Sequence, residues 1–362
     1  MAGVDFQVNR SDLRQTRFVR EAPSALAKGQ ARLAIERFAL TANNITYGVA
    51  GDMIGYWNFF PAEGDWGRIP VWGVGRVTES EADGIEPGER YFGYFPMSEI
   101  LDVEAGSIGP GGFVDIAKHR ASLPPIYNRY DRLAEDRSSE DEAWMMVLRV
   151  LFLTGWLIDD FLGDNAFFES EAVVVLSASS KTGFSLAHCL SDRGEARPRV
   201  IGVTSPPHQA FTESLGCYDE VLTYAEVDRL DSSRPTTLVD MAGNGPVSTQ
   251  LHHHFGDALK YDCQVGLTHW ESGGRETDLP GAAPEFFFAP TQVEKRLAEW
   301  GPAVLGSRQA AAWEGFVAAC RLWLDLSEGV GEAALEAAYR EMLEGRTDPK
   351  IGVILSLQAS EE

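Results

Sequence analysis

Between residues 171 and 270 the chain alternates between short apolar runs and helix-spaced segments. "EAVVVLSA" gives way to "KTGFSLAHCLSDRG" and "PRVIGVTS" to "PPHQAFTESLG". "EVLTYAEV" is followed by "TTLVDMAG", then by "GPVSTQLHHHFGD", and the series closes on "LKYDCQVGLTHW". The runs are rich in β-branched residues and lack the in–out alternation of a half-solvated strand, so both of their faces are covered. Strands of that kind linked by helices predict an α/β region, a parallel sheet wound with helices on both sides.

The preceding third has a different texture. "ARLAIERFALT" alternates as a strand. "VWGVGRVTES" reads as a strand with Gly73 and Gly75 where backbones come close, and "GIEPGERYFGYFP" as a turn and a strand. Short strands separated by turns predict a small barrel or sandwich. "NNITYGVAGDMIGYWNFFPAEGDWGRIP" reads as a glycine- and aromatic-rich loop. Near residue 136 an acidic helix start, "EDRSSEDE", leads into an amphipathic helix. "ESGGRETDLPGAAPEFFFAP" reads as a loop, its three phenylalanines walling a pocket or packing in a core or a dimer interface. Residues from 291 are mostly helical, ending on a strand-like "KIGVILSLQ". A chain of 362 residues suits two domains. These divide as 1–135 and 136–290, with 291–362 returning to the first.

A formal charge of −23 argues against nucleic acid and anionic membranes, since either partner needs a basic surface. Absence of a spanning apolar stretch and of a cationic–apolar leader leads to the expectation of a cytoplasmic protein acting on a small molecule. Cys189, Cys217, Cys263 and Cys320 form no CxxC pair, so neither a zinc lobe nor a disulfide scaffold is expected. Nor does "HHH" (252–254) predict a metal, because successive helical residues point about 100° apart.

The segment joining the first apolar run to its helix is "SASSKTG" (177–183). A pyrophosphate needs main-chain N–H groups and a helix N-terminus approached without obstruction. Gly183 allows close helix–strand packing. Ser177, Ser179, Ser180 and Thr182 offer small hydroxyls, and Lys181 a cation. A P-loop would place its glycines on Val175 and Ser180, which are not glycine. A turn of this shape that has lost its ligand is the alternative. The second run ends in Thr204 and Ser205, with no acid to bind a ribose 2′-hydroxyl or repel a 2′-phosphate. That favours NADP, with NAD as the other possibility.

Four segments resemble the medium-chain dehydrogenase/reductase superfamily, nearest its zinc-independent quinone and enoyl reductase branches. "NNITYGVAGD" is similar to the loop in which quinone reductases carry Asn, Thr-Tyr and Gly, here Asn43, Thr46, Tyr47 and Gly51. "PVWGVGRVTESEADGIEPGERYFGYFP" resembles the glycine-punctuated strand pair. "LFLTGWLIDDFL" aligns a cofactor-reaching Thr with Thr154. "VVVLSASSKTG" with "VIGVTS…ESLGCYDEVLTY" resembles the cofactor turn, the second strand and the "LGA-x-x-V-I-x-Y" signature. The resemblance covers most of 31–270 and implies a GroES-like barrel domain, a Rossmann-type domain and a homodimer joined by sheet edges. Departures are plain: no Cys ligand stands in the 43–52 loop, Ile45 replaces an Asp, and Ser177 and Ser180 replace the Ala and first Gly of Ala-x-x-Gly-x-x-Gly.

The resemblance implies an NADPH-dependent, zinc-independent reductase of an activated double bond in an enone, quinone or enoyl thioester. Carbonyl reduction and a non-catalytic nucleotide-binding scaffold are the alternatives. Tyr47, Tyr56 and His269 are the candidates for proton transfer or charge stabilisation. Asn43, Gly243, Asn244 and Thr268 join the turn residues, Thr154, Thr204 and Ser205 as candidate cofactor contacts; Asn43 is read alternatively as a turn cap.

Overall fold

The computed structural model describes residues 3–195, 197–266 and 278–358. Two compact units emerge. One is Met1–Val147 with Asp325–Glu362; the other is Leu148–Leu324. The return of the chain to the first unit therefore begins at Asp325, and the long helix before it belongs to the second.

The first unit is built on a closed barrel. Its six strands run in the order Gln30–Leu40, Pro70–Ser80, Arg90–Pro96, Arg129–Arg132, Gly112–Asp115 and Ile100–Gly109, which pairs back onto Gln30–Leu40. The first glycine of "VWGVG" has the role expected of it: a Cβ on Gly73 would lie 2.7 Å from the Arg37 carbonyl oxygen. Ile351–Ser356 and Asp325–Val330 extend the sheet outside the barrel. Gly3–Asn9 and Asp12–Glu21 form a hairpin that also takes up Trp66–Gly67. Glu142, in the first turn of the helix Ser139–Asp164, is buried and held by charge: Arg90 donates to both of its oxygens at 2.6 and 2.9 Å, and Arg37 donates at 3.0 Å. Arg90 also donates twice to Glu36, at 2.8 and 2.7 Å.

The second unit carries a six-stranded, all-parallel sheet in the order Glu220–Thr223, Arg199–Thr204, Ala172–Leu176, Thr236–Asp240, Leu259–Gln264, Pro284–Phe286. Its core is what the apolar runs foretold: Val174, Leu176, Val203, Leu238 and Leu251 are fully enclosed. The first three strands step outward and the fourth returns beside the first, so the winding reverses between Ala172–Leu176 and Thr236–Asp240. This is the doubly wound, Rossmann-type topology, and the crevice at the strands' carboxyl ends is where such sheets bind ligands.

Three segments differ from the expectation. The 43–58 stretch is not a loop but the short helices Ala42–Val49 and Gly51–Ile54 followed by a single tight turn, Tyr56–Asn58. A capping box starts it, with the Thr41 N–H donating to Asn44 Oδ1 at 2.7 Å; eight residues are too few to show helical periodicity clearly. Pro284–Phe286, read as loop, is the sixth strand of the parallel sheet. "LDLSEGV" leaves the helix Ala289–Trp323 and forms the strand Asp325–Val330.

Candidate functional site

In the second unit, the strand Ala172–Leu176 runs into the turn 177–180 and the helix Lys181–Ser191. Ser177 has φ of +54°, a left-handed conformation rare outside glycine. Its hydroxyl lies 3.1 Å from that of Tyr224. Ser180 caps the helix, its Oγ accepting the Gly183 N–H at 3.1 Å; its own proton remains available to donate. Gly183 has no substitute here, since a Cβ would lie 2.9 Å from the Ser177 carbonyl oxygen and 3.0 Å from Ser180 Oγ. That tightness brings the helix N-terminus directly onto the end of the strand, the arrangement a diphosphate requires. Lys181 and Thr182 occupy the first turn, both half-buried.

Beneath the turn the hydroxyls bond one another. Thr204, buried at the end of its strand, donates to Ser179 Oγ at 3.1 Å, and His208 Nδ1 lies 3.3 Å from the same oxygen. Tyr218 donates to the Ala178 carbonyl at 2.8 Å. Ser205 follows at the start of the turn Pro206–His208. Thr154 lies on Ser139–Asp164 and donates to the Val150 carbonyl at 3.0 Å. Ser185 ties that helix to Lys181–Ser191 by donating to the Leu151 carbonyl at 3.2 Å, and Gly155 leaves the room.

Across the switch point, Asp240 accepts the N–H groups of Ala242 and Gly243 at 3.1 and 2.9 Å. Gly243 takes a left-handed φ of +72°, and Asn244 caps the helix Gly245–Phe255. The three histidines of that helix diverge: His252 is buried between the Pro280 carbonyl and Asp262 Oδ2, each at 2.9 Å, His253 is exposed, and His254 reaches the Leu230 carbonyl at 2.8 Å. Among the described residues no group of His, Cys, Asp and Glu is arranged to hold a metal ion, and no helix is long and apolar enough to cross a membrane. Thr268 and His269 lie outside the described residues.

The first unit holds an aromatic cluster around Tyr47 and Tyr56. The two rings pack at 4.5 Å, and Tyr94, Tyr127, Phe59 and Trp72 close round them. The Tyr56 and Tyr127 hydroxyls are 3.1 Å apart. Trp72 Nε1 donates to the Tyr47 hydroxyl at 3.4 Å. Burial pushes the Tyr47 phenol up from its ordinary value, against the opposing pull of hydrogen bonding by Trp72, Asn43 and Tyr94. Burial likewise raises Tyr56, Tyr94 and Tyr127. All four are therefore neutral hydroxyls at ordinary pH. The N-cap of the helix Ala42–Val49 is Thr41, and Asn44 completes its capping box, is buried and donates to the Pro70 carbonyl at 2.8 Å; the Asn43 amide serves Tyr47 instead.

Trp72, Tyr94 and Tyr127 were not singled out from the sequence. The signal for two of them was present: Trp72 and Tyr94 sit on neighbouring strands and pair directly across the sheet. Tyr127 arrives from the turn Pro125–Asn128, whose position no local pattern betrays.

Similar proteins bear on this arrangement. A family model described as "Protein of unknown function (DUF2855)" matches residues 38–348. No curated protein matches the sequence. Solved structures match along the whole chain. CurA from Vibrio vulnificus, in complex with NADPH, has a TM-score of 0.64 at 11% identity, covering 98% of this chain and 99% of its own. CurK enoyl reductase has a TM-score of 0.57 at 12% identity, covering 98% and 99%. The quinone oxidoreductase from Coxiella burnetii has a TM-score of 0.54 at 13% identity, covering 99% and 100%. The fold is thus the two-domain architecture that the sequence resemblance implied.

Proposed function

The chain belongs to the DUF2855 family, and for it we propose the activity of an NADPH-dependent reductase of an activated carbon–carbon double bond, in an enone, a quinone or an enoyl thioester. One observation carries the reading: a glycine-tight strand–turn–helix at the switch point of the parallel sheet, where Gly183 admits no side chain. NADPH, when bound, supplies the hydride. Gly183, the Ser180 hydroxyl and the first turn of Lys181–Ser191 would hold its diphosphate, and Lys181 adds positive charge. With Thr204 and Ser205 after the second strand, a 2′-phosphate meets no carboxylate there. The buried, uncharged hydroxyls of Tyr47 and Tyr56 are suited to donate to a carbonyl or to give up a proton, with no metal taking part.

Engagement of Ser177 and Ser179 within the protein favours a second reading, a nucleotide-binding protein without turnover. Thermal denaturation with each coenzyme, followed by NADPH oxidation with a panel of enones, quinones and enoyl thioesters, separates the two. Stabilisation by NADPH above NADH together with turnover supports the reductase. Stabilisation without turnover supports the second reading, and no stabilisation by either coenzyme at millimolar concentration removes both.

A further inference from the structure

Tyr47 and Tyr56 share one cluster but differ in their partners. The hydroxyl beside Tyr56 belongs to Tyr127, 3.1 Å away, and either can be the donor. Around the Tyr47 hydroxyl stand an indole nitrogen, which only donates, and the side chains of Asn43 and Tyr94. Because the Trp72 N–H can only donate, it binds the Tyr47 oxygen and leaves the Tyr47 proton uncommitted to it. The indole is fixed for this task. Trp72 lies on the barrel strand Pro70–Ser80, stacks on Phe92 at 5.5 Å with the planes 18° apart, and packs on Tyr94 at 4.9 Å. When a phenol gives up its proton, the nascent phenolate gains most from a donor already in place, because charge-assisted hydrogen bonds are stronger than neutral ones. The separation of 3.4 Å leaves room for the bond to shorten as charge develops.

We infer that Trp72 is a positioning residue, holding the Tyr47 hydroxyl so that Tyr47, and not Tyr56, is the proton donor of the reaction. The inference rests on the reductase reading. In the step itself Tyr47 would break its O–H bond and give the proton to the α-carbon, or to the carbonyl oxygen, of a substrate whose β-carbon takes up a hydride; NADPH, when bound, would supply that hydride. The electron pair left on the Tyr47 oxygen is met by the Trp72 N–H, and solvent returns the proton afterwards. The substrate is reduced by two electrons and NADPH is oxidised by two.

The test combines a spectroscopic and a kinetic readout on the full chain. In protein labelled with 15N at tryptophan, the indole signal lost in Trp72→Phe identifies Trp72. Tyr47→Phe is expected to move that signal, and Tyr56→Phe to leave it in place. In NADPH oxidation with the best acceptor of the panel, Tyr47→Phe is expected to lower kcat about a hundredfold and Tyr56→Phe less than tenfold. Trp72→Phe, which keeps an aromatic ring, is expected to lower kcat about tenfold with KM unchanged and to enlarge the solvent isotope effect. An indole signal indifferent to Tyr47→Phe overturns the inference whatever the activity. So does a Tyr56→Phe loss greater than that of Tyr47→Phe. A wild-type chain that turns over no acceptor sinks the reductase reading and the proton-donor role with it, while the indole signal still decides the hydrogen bond.

Discussion

The Thr204 hydroxyl donates to Ser179 Oγ across 3.1 Å, joining the end of one parallel strand to the turn that follows its neighbour. Both residues are buried, and His208 reaches the same oxygen. A turn poor in glycine is thus braced by side chains. Thr204→Val keeps the shape and removes the donor; it is expected to destabilise the protein by about 1 kcal/mol and to weaken NADPH binding. Thermal denaturation with and without NADPH reads both effects, and an unchanged melting temperature would deny the hydroxyl its bracing role.

Gly183→Ala places a methyl group 2.9 Å from a main-chain oxygen, where nothing flexible can yield. The helix must move off the strand, at a cost of about 1–3 kcal/mol. NADPH binding, followed by nucleotide fluorescence, is expected to fall by at least tenfold. Ser180→Gly is the contrasting variant. It loses the cap and one hydroxyl offered to the diphosphate, costs only a few tenths of a kcal/mol, and is expected to weaken NADPH binding less than Gly183→Ala does.

In the first unit, Glu142→Gln removes the negative charge that faces Arg90 and Arg37. Its carboxylate is 1% exposed, so water does little to screen the pair or to compensate its loss. Destabilisation of about 3 kcal/mol is expected. Because the chain has two units, the drop should appear in one calorimetric transition more than in another, which scanning calorimetry resolves.

Asp219 is a carboxylate with a definite pH signature. Its Oδ1 accepts from Arg197 at 2.8 Å and its Oδ2 from the Val200 N–H at 2.7 Å. Arg197 foremost, with the Val200 N–H, holds its carboxyl below the ordinary 3.8. The unfolded chain therefore binds the proton more readily than the folded one, so the pair stabilises the fold above pH 3.8 and the contribution fades as pH falls below it. Asp219→Asn is expected to melt below wild type at about pH 7, with the difference shrinking in acid. A gap of equal size at both pH values would show that the charge is not its source.

Much of this molecule was legible from side-chain pattern alone. Unbroken β-branched runs such as Val173–Val175 announce strands buried on both faces, because β-branched side chains pack well on a pleated surface and so short a run falls at strand length. Order and spacing then required a parallel sheet, and a single Gly183 after "SASSKT" marked the turn, since close packing of helix on strand excludes a Cβ. Tertiary structure alone decided the rest. Phe286 joins a sheet only because Leu259–Gln264 offers it an unpaired edge, which its own neighbours in sequence do not reveal. The same holds for the aromatic cluster. Tyr47 and Trp72 are 25 residues apart, and Tyr56 and Tyr127 are 71 apart. Packing of the helix Ala42–Val49 against the strand Pro70–Ser80, and of the turns Tyr56–Asn58 and Pro125–Asn128 together, brings these polar groups within bonding distance, and a one-dimensional pattern carries no information about which distant residues the fold will make neighbours.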